Sequence, residues 1–156
     1  MQSMVTPVAV AVGVALVAGA CFKLLHRRYV APLEFPNKEL AGDIQQTRVA
    51  VIDCGPDAAV LAARDAVLSL PRAKRLRTAG RKIEARTSIS LRTFGEVIEV
   101  SVEATDSGKS RLTVESRPRF SGTTIDYGKS YENVERILAH LAIKHATSLV
   151  SASSGS

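Results

Sequence analysis

Residues 82–118 read KIEARTSISLRTFGEVIEVSVEATDSGKSRLTVESRP, and this stretch decides the fold. Apolar and polar residues alternate along it in three runs, with breaks near Gly95 and at 106–109. A period of two is typical of β-strands that have one face on a core and one in water. The stretch therefore predicts a three-stranded antiparallel meander. Its core-facing residues are predicted to be Ile83, Ala85, Thr87, Ile89, Leu91, Ile98, Val100, Val102, Ala104, Leu112 and Val114.

The opposite face of the meander carries most of its charges. The signs of these charges are expected to alternate from strand to strand, so that opposite charges pair across the sheet. This pairing needs no function beyond the stability and solubility of the sheet.

The residues before the meander predict a strand and a helix. Residues 48–53, RVAVID, form an apolar run that suits a central strand covered on both faces, or a strand at a protected edge. Gly55, Pro56 and Asp57 then favour a helix start, because proline and an acid suit the first turn. Pro71 ends this helix. Its apolar residues at helical spacing are Val60, Leu61, Ala63, Val67 and Leu68.

The residues after the meander predict a second helix. Residues 120–125 are expected to add a short strand, and Asp126 or Ser130 is expected to cap the helix that follows. The order is then β-α-β-β-β-(β)-α, an α+β fold in which both helices cover one face of the antiparallel sheet. The apolar stripe of this helix comprises Tyr131, Val134, Ile137, Leu138 and Leu141.

This order of elements resembles the small α+β sandwich of TATA-binding-protein-like domains, of which the helix-grip (START and polyketide-cyclase-like) superfamily is an elaboration. The run RTSISLRTFGEVIEVSVEATDSGKSRLTVESRP and the later DYGKSYENVERIL also resemble bacterial membrane-anchored proteins that carry such a domain. The resemblance covers Arg48 to about Ala146 and brings no catalytic residues with it. It implies that a small apolar ligand could lie between the sheet and the last helix, as in helix-grip proteins.

The N-terminal segment predicts a membrane anchor. It carries no charge from Met1 to Phe22, and with Leu24 and Leu25 it reaches the roughly 20 residues that span a bilayer as a helix. A cleaved signal peptide or a lipoprotein cysteine at Cys21 fits less well, because the N-terminus lacks basic residues and the basic flank follows the apolar run. We assign the anchor to its apolar residues, among them Val5, Val8, Val12, Leu16 and Phe22.

The basic flank also predicts the orientation of the chain. Lys23, Arg27 and Arg28 place the C-terminal side of the anchor in the cytoplasm and the N-terminus outside. The predicted organisation is an anchor with its flank at 1–28, a linker at 29–46, an α+β domain at 47–148 and a disordered tail at 149–156.

A basic segment precedes the meander and overlaps its first strand. Residues 72–86 contain seven basic residues and one acid, Glu84, a net +6 that equals the formal net charge of the whole chain. One interpretation is a solvated loop and strand edge; the other is contact with the anionic inner leaflet or with a partner. Nucleic acid is not expected, since aromatic residues make up only 4% and Trp is absent. The contact residues are predicted to be Arg72, Lys74, Arg75, Arg77, Arg81 and Lys82.

Catalytic motifs are not evident in the sequence, and we expect neither an enzyme nor a cofactor. Cys54 precedes a helix start, which would stabilise a thiolate, but a small buried packing residue is the simpler interpretation. His140 and His145 are five residues apart on one helix and therefore diverge. The sequence predicts a non-catalytic, membrane-anchored interaction module, an accessory subunit of a larger membrane protein complex. The alternative is a module that binds a lipid or another apolar small molecule.

Overall fold

The computed structural model describes residues 43–90, 93–120, 127–145 and 147–150. These residues form an α+β domain with two helices on one face of an antiparallel sheet. The predicted fold class is confirmed for this part of the chain. In chain order the elements are β1 (Gln46–Ile52), α1 (Pro56–Leu68), β2 (Ala73–Ala79), β3 (Lys82–Thr87), β4 (Glu96–Ala104), β5 (Ser110–Pro118), α2 (Lys129–Lys144) and β6 (Thr147–Val150).

Among the described residues the sheet has six strands, in the order β2-β3-β4-β5-β1-β6. The predicted meander is confirmed as β3, β4 and β5, which pair as neighbours in antiparallel register, for example Ile83 with Val100 and Val100 with Val114. β1 returns to the far side of β5 and pairs with it from Gln46 opposite Ser116 to Ile52 opposite Ser110. β1 is therefore covered by helices on one face only, and Val49 and Val51 on its other face are half-buried.

Two strands differ from the expected order. β2 forms one edge of the sheet and is missing from the expected order, in which this segment was interpreted as a solvated loop and strand edge or as a contact segment. β6 forms the other edge beside β1, and it includes Leu149 and Val150, which the sequence analysis placed in the tail. Of the strand predicted at 120–125, Phe120 is not in a strand, and the remaining residues lie outside the described part of the chain.

The two helices pack on each other and on the inner face of the sheet. α1 lies over β2, β3 and β4, and α2 lies over β5 and β1. The predicted stripe of α2 is fully buried, from Tyr131 to Leu141. In α1, however, Leu61 and Leu68 are exposed, and the helix buries the small residues Ala59, Ala63 and Ala66 beside Val67. Small side chains let the helix approach the sheet closely, which leaves its two leucines on the outer side.

The alternation of β3 and β4 ends earlier than the sequence pattern does. Ile89, which the pattern places on the core side, is exposed because β3 ends at Thr87. Ala104 is the last residue of β4 and is exposed as well, so the buried alternation of β4 ends at Val102. Leu91 lies outside the described residues. Between these limits the core is continuous from Ile52 and Leu112 to Ile137 and Leu141.

The two ends of the sheet carry different connections. β1 and β4 begin, and β3 and β5 end, at one end, which we call the aromatic end because Phe94 and Phe120 lie there. At the other end, the hairpin end, tight turns join β2 to β3 and β4 to β5. Gly80 and Gly108 have positive φ in these turns, a conformation that glycine adopts without strain.

Candidate functional site

The basic segment lies along the exposed edge of the sheet. Arg72 precedes β2, while Lys74, Arg75 and Arg77 belong to this strand and Arg81 to the turn after it, and all are exposed. Because a strand of seven residues is about 20 Å long, Arg72 and Arg81 lie near opposite ends of the sheet. The six predicted contact residues therefore form a strip along one edge rather than one compact patch.

Of these six side chains, Lys82 alone forms an ion pair with an acid among the described residues. Lys82 forms an ion pair with Glu99 at 2.6 Å, and the Arg72 guanidinium donates to the carbonyl of Ile89 at 3.4 Å. The other four side chains have no carboxylate partner among the described residues. We call these four, Lys74, Arg75, Arg77 and Arg81, the basic strip.

The backbone of β2 is irregular where the basic strip begins. The register against β3 shifts between Lys74 and Arg77, which is a β-bulge, and Arg72 and Arg75 have positive φ. Two apolar side chains hold the strand in place, since Ala73 and Leu76 pack against the core. The bulge turns consecutive basic side chains outward, so that they do not alternate between the two faces of the sheet.

The charges on the open face of the sheet, opposite the helices, alternate in sign only in part: Glu103 lies opposite Arg111 as expected, but one row across β3, β4 and β5 is acidic throughout. Glu84, Glu99 and Glu115 lie directly opposite one another in β3, β4 and β5. Their repulsion is offset by diagonal pairs and pairs along a strand: Lys82 with Glu99, Arg86 with Glu84 at 3.5 Å, and Arg117 with Glu115 at 3.3 Å. The open face is thus largely self-neutralised, in contrast to the basic strip.

A polar cluster occupies the core at the aromatic end. Thr87 Oγ1 donates to Glu96 Oε2 at 2.6 Å and accepts from the Glu96 backbone N–H at 2.9 Å. From α2, Asn133 Nδ2 donates to Ser116 Oγ at 3.2 Å and to Glu96 Oε2 at 3.4 Å. Thr87, Glu96, Ser116 and Asn133 are all buried and make up this polar cluster. Two of its acceptors, Glu96 Oε1 and Asn133 Oδ1, have no hydrogen-bond partner among the described residues.

Sequence reasoning missed the polar cluster, although one signal for it was present. The alternation that turns Ile98 and Val114 inward also turns Glu96 and Ser116 inward. A carboxyl group on the core side of a strand is unusual and marks a specific structural or binding role.

Exposed apolar side chains lie at the same end of the sheet. Ile89, Phe94 and Phe120 are 62%, 63% and 54% exposed, and the two phenyl rings meet edge to face with centroids 6.2 Å apart. The guanidinium of Arg119 lies 5.8 Å from the centroid of the Phe120 ring. The sequence pattern does not reveal this feature, because Phe94 and Phe120 lie far apart in the chain.

Cys54 lies in the environment of a packing residue. Its side chain is partly buried against the core. Burial raises the pKa of the Cys54 thiol, and the neighbouring Asp53 carboxylate raises it further. Both causes favour the neutral thiol over the thiolate that a nucleophile requires.

The two histidines have separate surroundings. His140 Nε2 lies 3.2 Å from Asp65 Oδ2 on α1, and the backbone N–H of His145 donates to the Leu141 carbonyl at the end of α2. Lys144 also donates to Asp65. Among the described residues, no group of histidine, cysteine and acidic side chains could hold a metal ion.

The predicted anchor falls outside the described residues, as do its residues Val5, Val8, Val12, Leu16 and Phe22. In the part of the chain that the structure covers, neither helix is long and apolar enough to cross a bilayer. A comparison with known proteins finds no family model that matches the chain and no curated protein that does so.

Proposed function

We propose that the protein is a non-catalytic, membrane-anchored interaction module, an accessory subunit of a larger membrane protein complex. Its N-terminus lies outside and its α+β domain lies in the cytoplasm. In this proposal the basic strip contacts an acidic surface of the partner. The anchor packs against the helices of the same complex.

The basic strip is the observation that carries the proposal. Its four side chains line an exposed edge without a carboxylate partner among the described residues, whereas Lys82, Arg86 and Arg117 on the same sheet are each paired. Unpaired charges along one edge repel each other, and this repulsion is relieved when an acidic surface lies against them. Complementary charge of this kind supports rapid and specific association.

The predicted anchor supports the same proposal. Ala9, Ala11, Gly13 and Ala15 are small residues that suit close packing between membrane helices. The proposal that the protein is non-catalytic rests on the sequence, in which neither a nucleophile elbow nor a phosphate-binding loop is recognisable.

Native purification of the full chain in mild detergent tests the proposal. The protein is expected to elute with one or more further membrane proteins at constant stoichiometry. In the variant Arg75→Gln with Arg77→Gln, this association should weaken at physiological salt. A matched control, Arg64→Gln with Arg111→Gln, removes the same charge from other exposed positions and should retain the partner. A monomer under every gentle condition, or equal loss in both variants, would contradict the proposal.

A second candidate function is the binding of a lipid or another apolar small molecule with a polar head. The observation that favours it is the pair of acceptors Glu96 Oε1 and Asn133 Oδ1, which are buried between α2 and the sheet without a described partner. A ligand that donates two hydrogen bonds would satisfy both. Native mass spectrometry of the purified chain should then show a retained ligand that Asn133→Leu loses. A mass equal to that of the chain alone would contradict this candidate.

A further inference from the structure

Three chain segments carry exposed apolar side chains at the aromatic end, Ile89, Phe94 and Phe120, which we call the apolar ridge. The Ser88 N–H donates to the Arg72 carbonyl at 3.2 Å, and the Arg119 N–H donates to the Gly95 carbonyl at 2.9 Å. These bonds join the start of β2, the β3–β4 connection and the end of β5. Ile89, Phe94 and Phe120 are therefore held in place on a hydrogen-bonded framework although more than half of each is exposed.

Basic side chains surround this ridge. On the open face, the row of residues nearest the aromatic end contains Lys74, Arg86 and Arg117, with Val97 between the two arginines. Arg72 and Arg119 flank the ridge itself and have no carboxylate partner among the described residues. The acidic row of the open face lies one step further from this end.

The chain also enters the domain at this end. β1 begins at Gln46 opposite Ser116, two residues before β5 ends at Pro118. All residues before Gln46 lead to the sequence-predicted anchor. The end of the sheet that carries exposed aromatic rings and unpaired arginines is thus the end to which the predicted membrane segment connects.

Aromatic rings within a basic surface are suited to the interface of an anionic bilayer. The rings enter the boundary between headgroups and acyl chains, while arginine and lysine bind lipid phosphates. We propose that the aromatic end docks on the anionic inner leaflet, with Phe94 and Phe120 inserted and Arg72 and Arg119 on headgroup phosphates.

This contact is separate from the proposed partner contact. Arg81 lies at the hairpin end, about 20 Å along β2 from Arg72, which is beyond the screening length of about 8 Å at physiological salt. Membrane docking therefore uses Arg72 and Arg119, and the far part of the basic strip stays available to a partner. The inference does not depend on the identity or existence of that partner.

Single tryptophan reporters in the full chain test the inference, because the natural sequence has no Trp. The variant Phe94→Trp is reconstituted into vesicles of phosphatidylcholine with phosphatidylglycerol, with and without brominated acyl chains. Its emission should shift to shorter wavelength and be quenched several-fold by the brominated lipid. The control is Ile143→Trp, at a position 86% exposed on α2, which should be quenched little. Equal quenching of the two reporters would overturn the inference.

Charge variants in the Phe94→Trp background test the role of the arginines. Arg72→Gln with Arg119→Gln should reduce quenching at least two-fold, whereas Arg77→Gln with Arg81→Gln, which removes the same charge from the basic strip, should leave it unchanged. Circular dichroism confirms that each variant is folded. Equal effects of the two pairs, or equal quenching in vesicles of phosphatidylcholine alone, would overturn the assignment of the arginines. No partner is present in this assay, so its failure is distinct from failure of the proposed complex.

Discussion

The two ends of the sheet differ in the side chains that they bury and expose. At the hairpin end, apolar residues such as Ile52 and Leu112 fill the core, and the connections outside it are polar turns at Gly80 and Gly108. At the aromatic end, polar side chains join apolar ones such as Ile98 in the core. Polar groups of Glu96 and Asn133 are buried, and the rings of Phe94 and Phe120 are in contact with solvent.

The two ends therefore differ in what their buried side chains contribute to stability. Apolar burial provides the driving force for folding, whereas buried polar groups contribute little net free energy even when they are hydrogen-bonded. The aromatic end departs from the usual distribution of side chains, because it has polar groups in its core and aromatic rings on its surface. Such departures are expected where a protein meets a ligand, a membrane or a partner.

The largest expected difference between the ends is between two buried residues of β5. Leu112→Ala removes an apolar side chain from the core and should lower the free energy of unfolding by about 2–5 kcal/mol. Ser116→Ala removes one hydrogen-bond acceptor of Asn133 and should cost about 1 kcal/mol. Urea denaturation followed by circular dichroism measures both. Equal losses would show that the polar cluster stabilises the fold as much as the apolar core does.

Alanine substitutions at two glycines test how the backbone differs between the two ends of the sheet. A Cβ at Gly95 would lie 2.7 Å from the Thr87 carbonyl oxygen, and φ is +97° there. Gly95→Ala should therefore cost about 3 kcal/mol, from strain and from the displaced strand end. Gly108→Ala at the hairpin end has open space and a φ of +74°, so only the conformational cost of about 1–2 kcal/mol applies. If Gly108→Ala is the more damaging change in thermal melts, the close approach at Gly95 is not important.

A pH titration of stability tests whether Arg48 offsets the burial of the Glu135 carboxyl group on α2. Burial raises the pKa of Glu135 above its ordinary value of 4.5, and the Arg48 guanidinium 3.8 Å away lowers it by less. The folded state then binds a proton more tightly than the unfolded state, so stability should fall as pH rises from 4.5 through the raised pKa. In Glu135→Gln this fall should be absent. The measurement is the melting temperature of both proteins at each pH across this range. A constant difference between the two proteins would contradict the expectation.

The smallest effect is expected at the exposed contact between the helices. The hydrogen bond from Lys144, followed by that from His140, lowers the pKa of Asp65 below 3.8. The stability that Asp65 contributes is present above pH 3.8 and is lost as pH falls through the lowered pKa. Asp65→Asn should slightly reduce the fall of the melting temperature at acid pH. At neutral pH the melting temperature should be almost unchanged, because exposed ion pairs contribute little. A large loss at neutral pH would show that this contact holds the helices together.

The regular part of the fold could be predicted from the sequence because its patterns are local. Alternation in β3, β4 and β5 and the stripe of α2 each lie within one short stretch, and Gly55 and Pro56 mark the start of α1. β2 could not be predicted in this way. Its bulge separates the inward-facing Ala73 and Leu76 by three residues, which breaks the period of two.

The candidate sites depend on contacts between distant parts of the chain. Phe94 meets Phe120 only because the end of β5 bonds to Gly95, and Asn133 reaches Glu96 only because α2 crosses the sheet. In one case a single residue indicated a site, because Glu96 is a charged residue at an inward-facing position of the strand pattern. The basic residues stand out in the sequence as a group, but their division between the two ends of β2 follows from pairing with β3.

The bulged edge of β2 also affects how copies of the chain behave towards one another. An open strand edge is a template for cross-β aggregation. A second β2 edge would bring Arg75 and Arg77 against the same charges, and the positive φ at Arg72 and Arg75 interrupts the flat hydrogen-bonding row that polymerisation requires. Pairing of two β2 edges is therefore unfavourable, while the same edge remains attractive to an acidic surface.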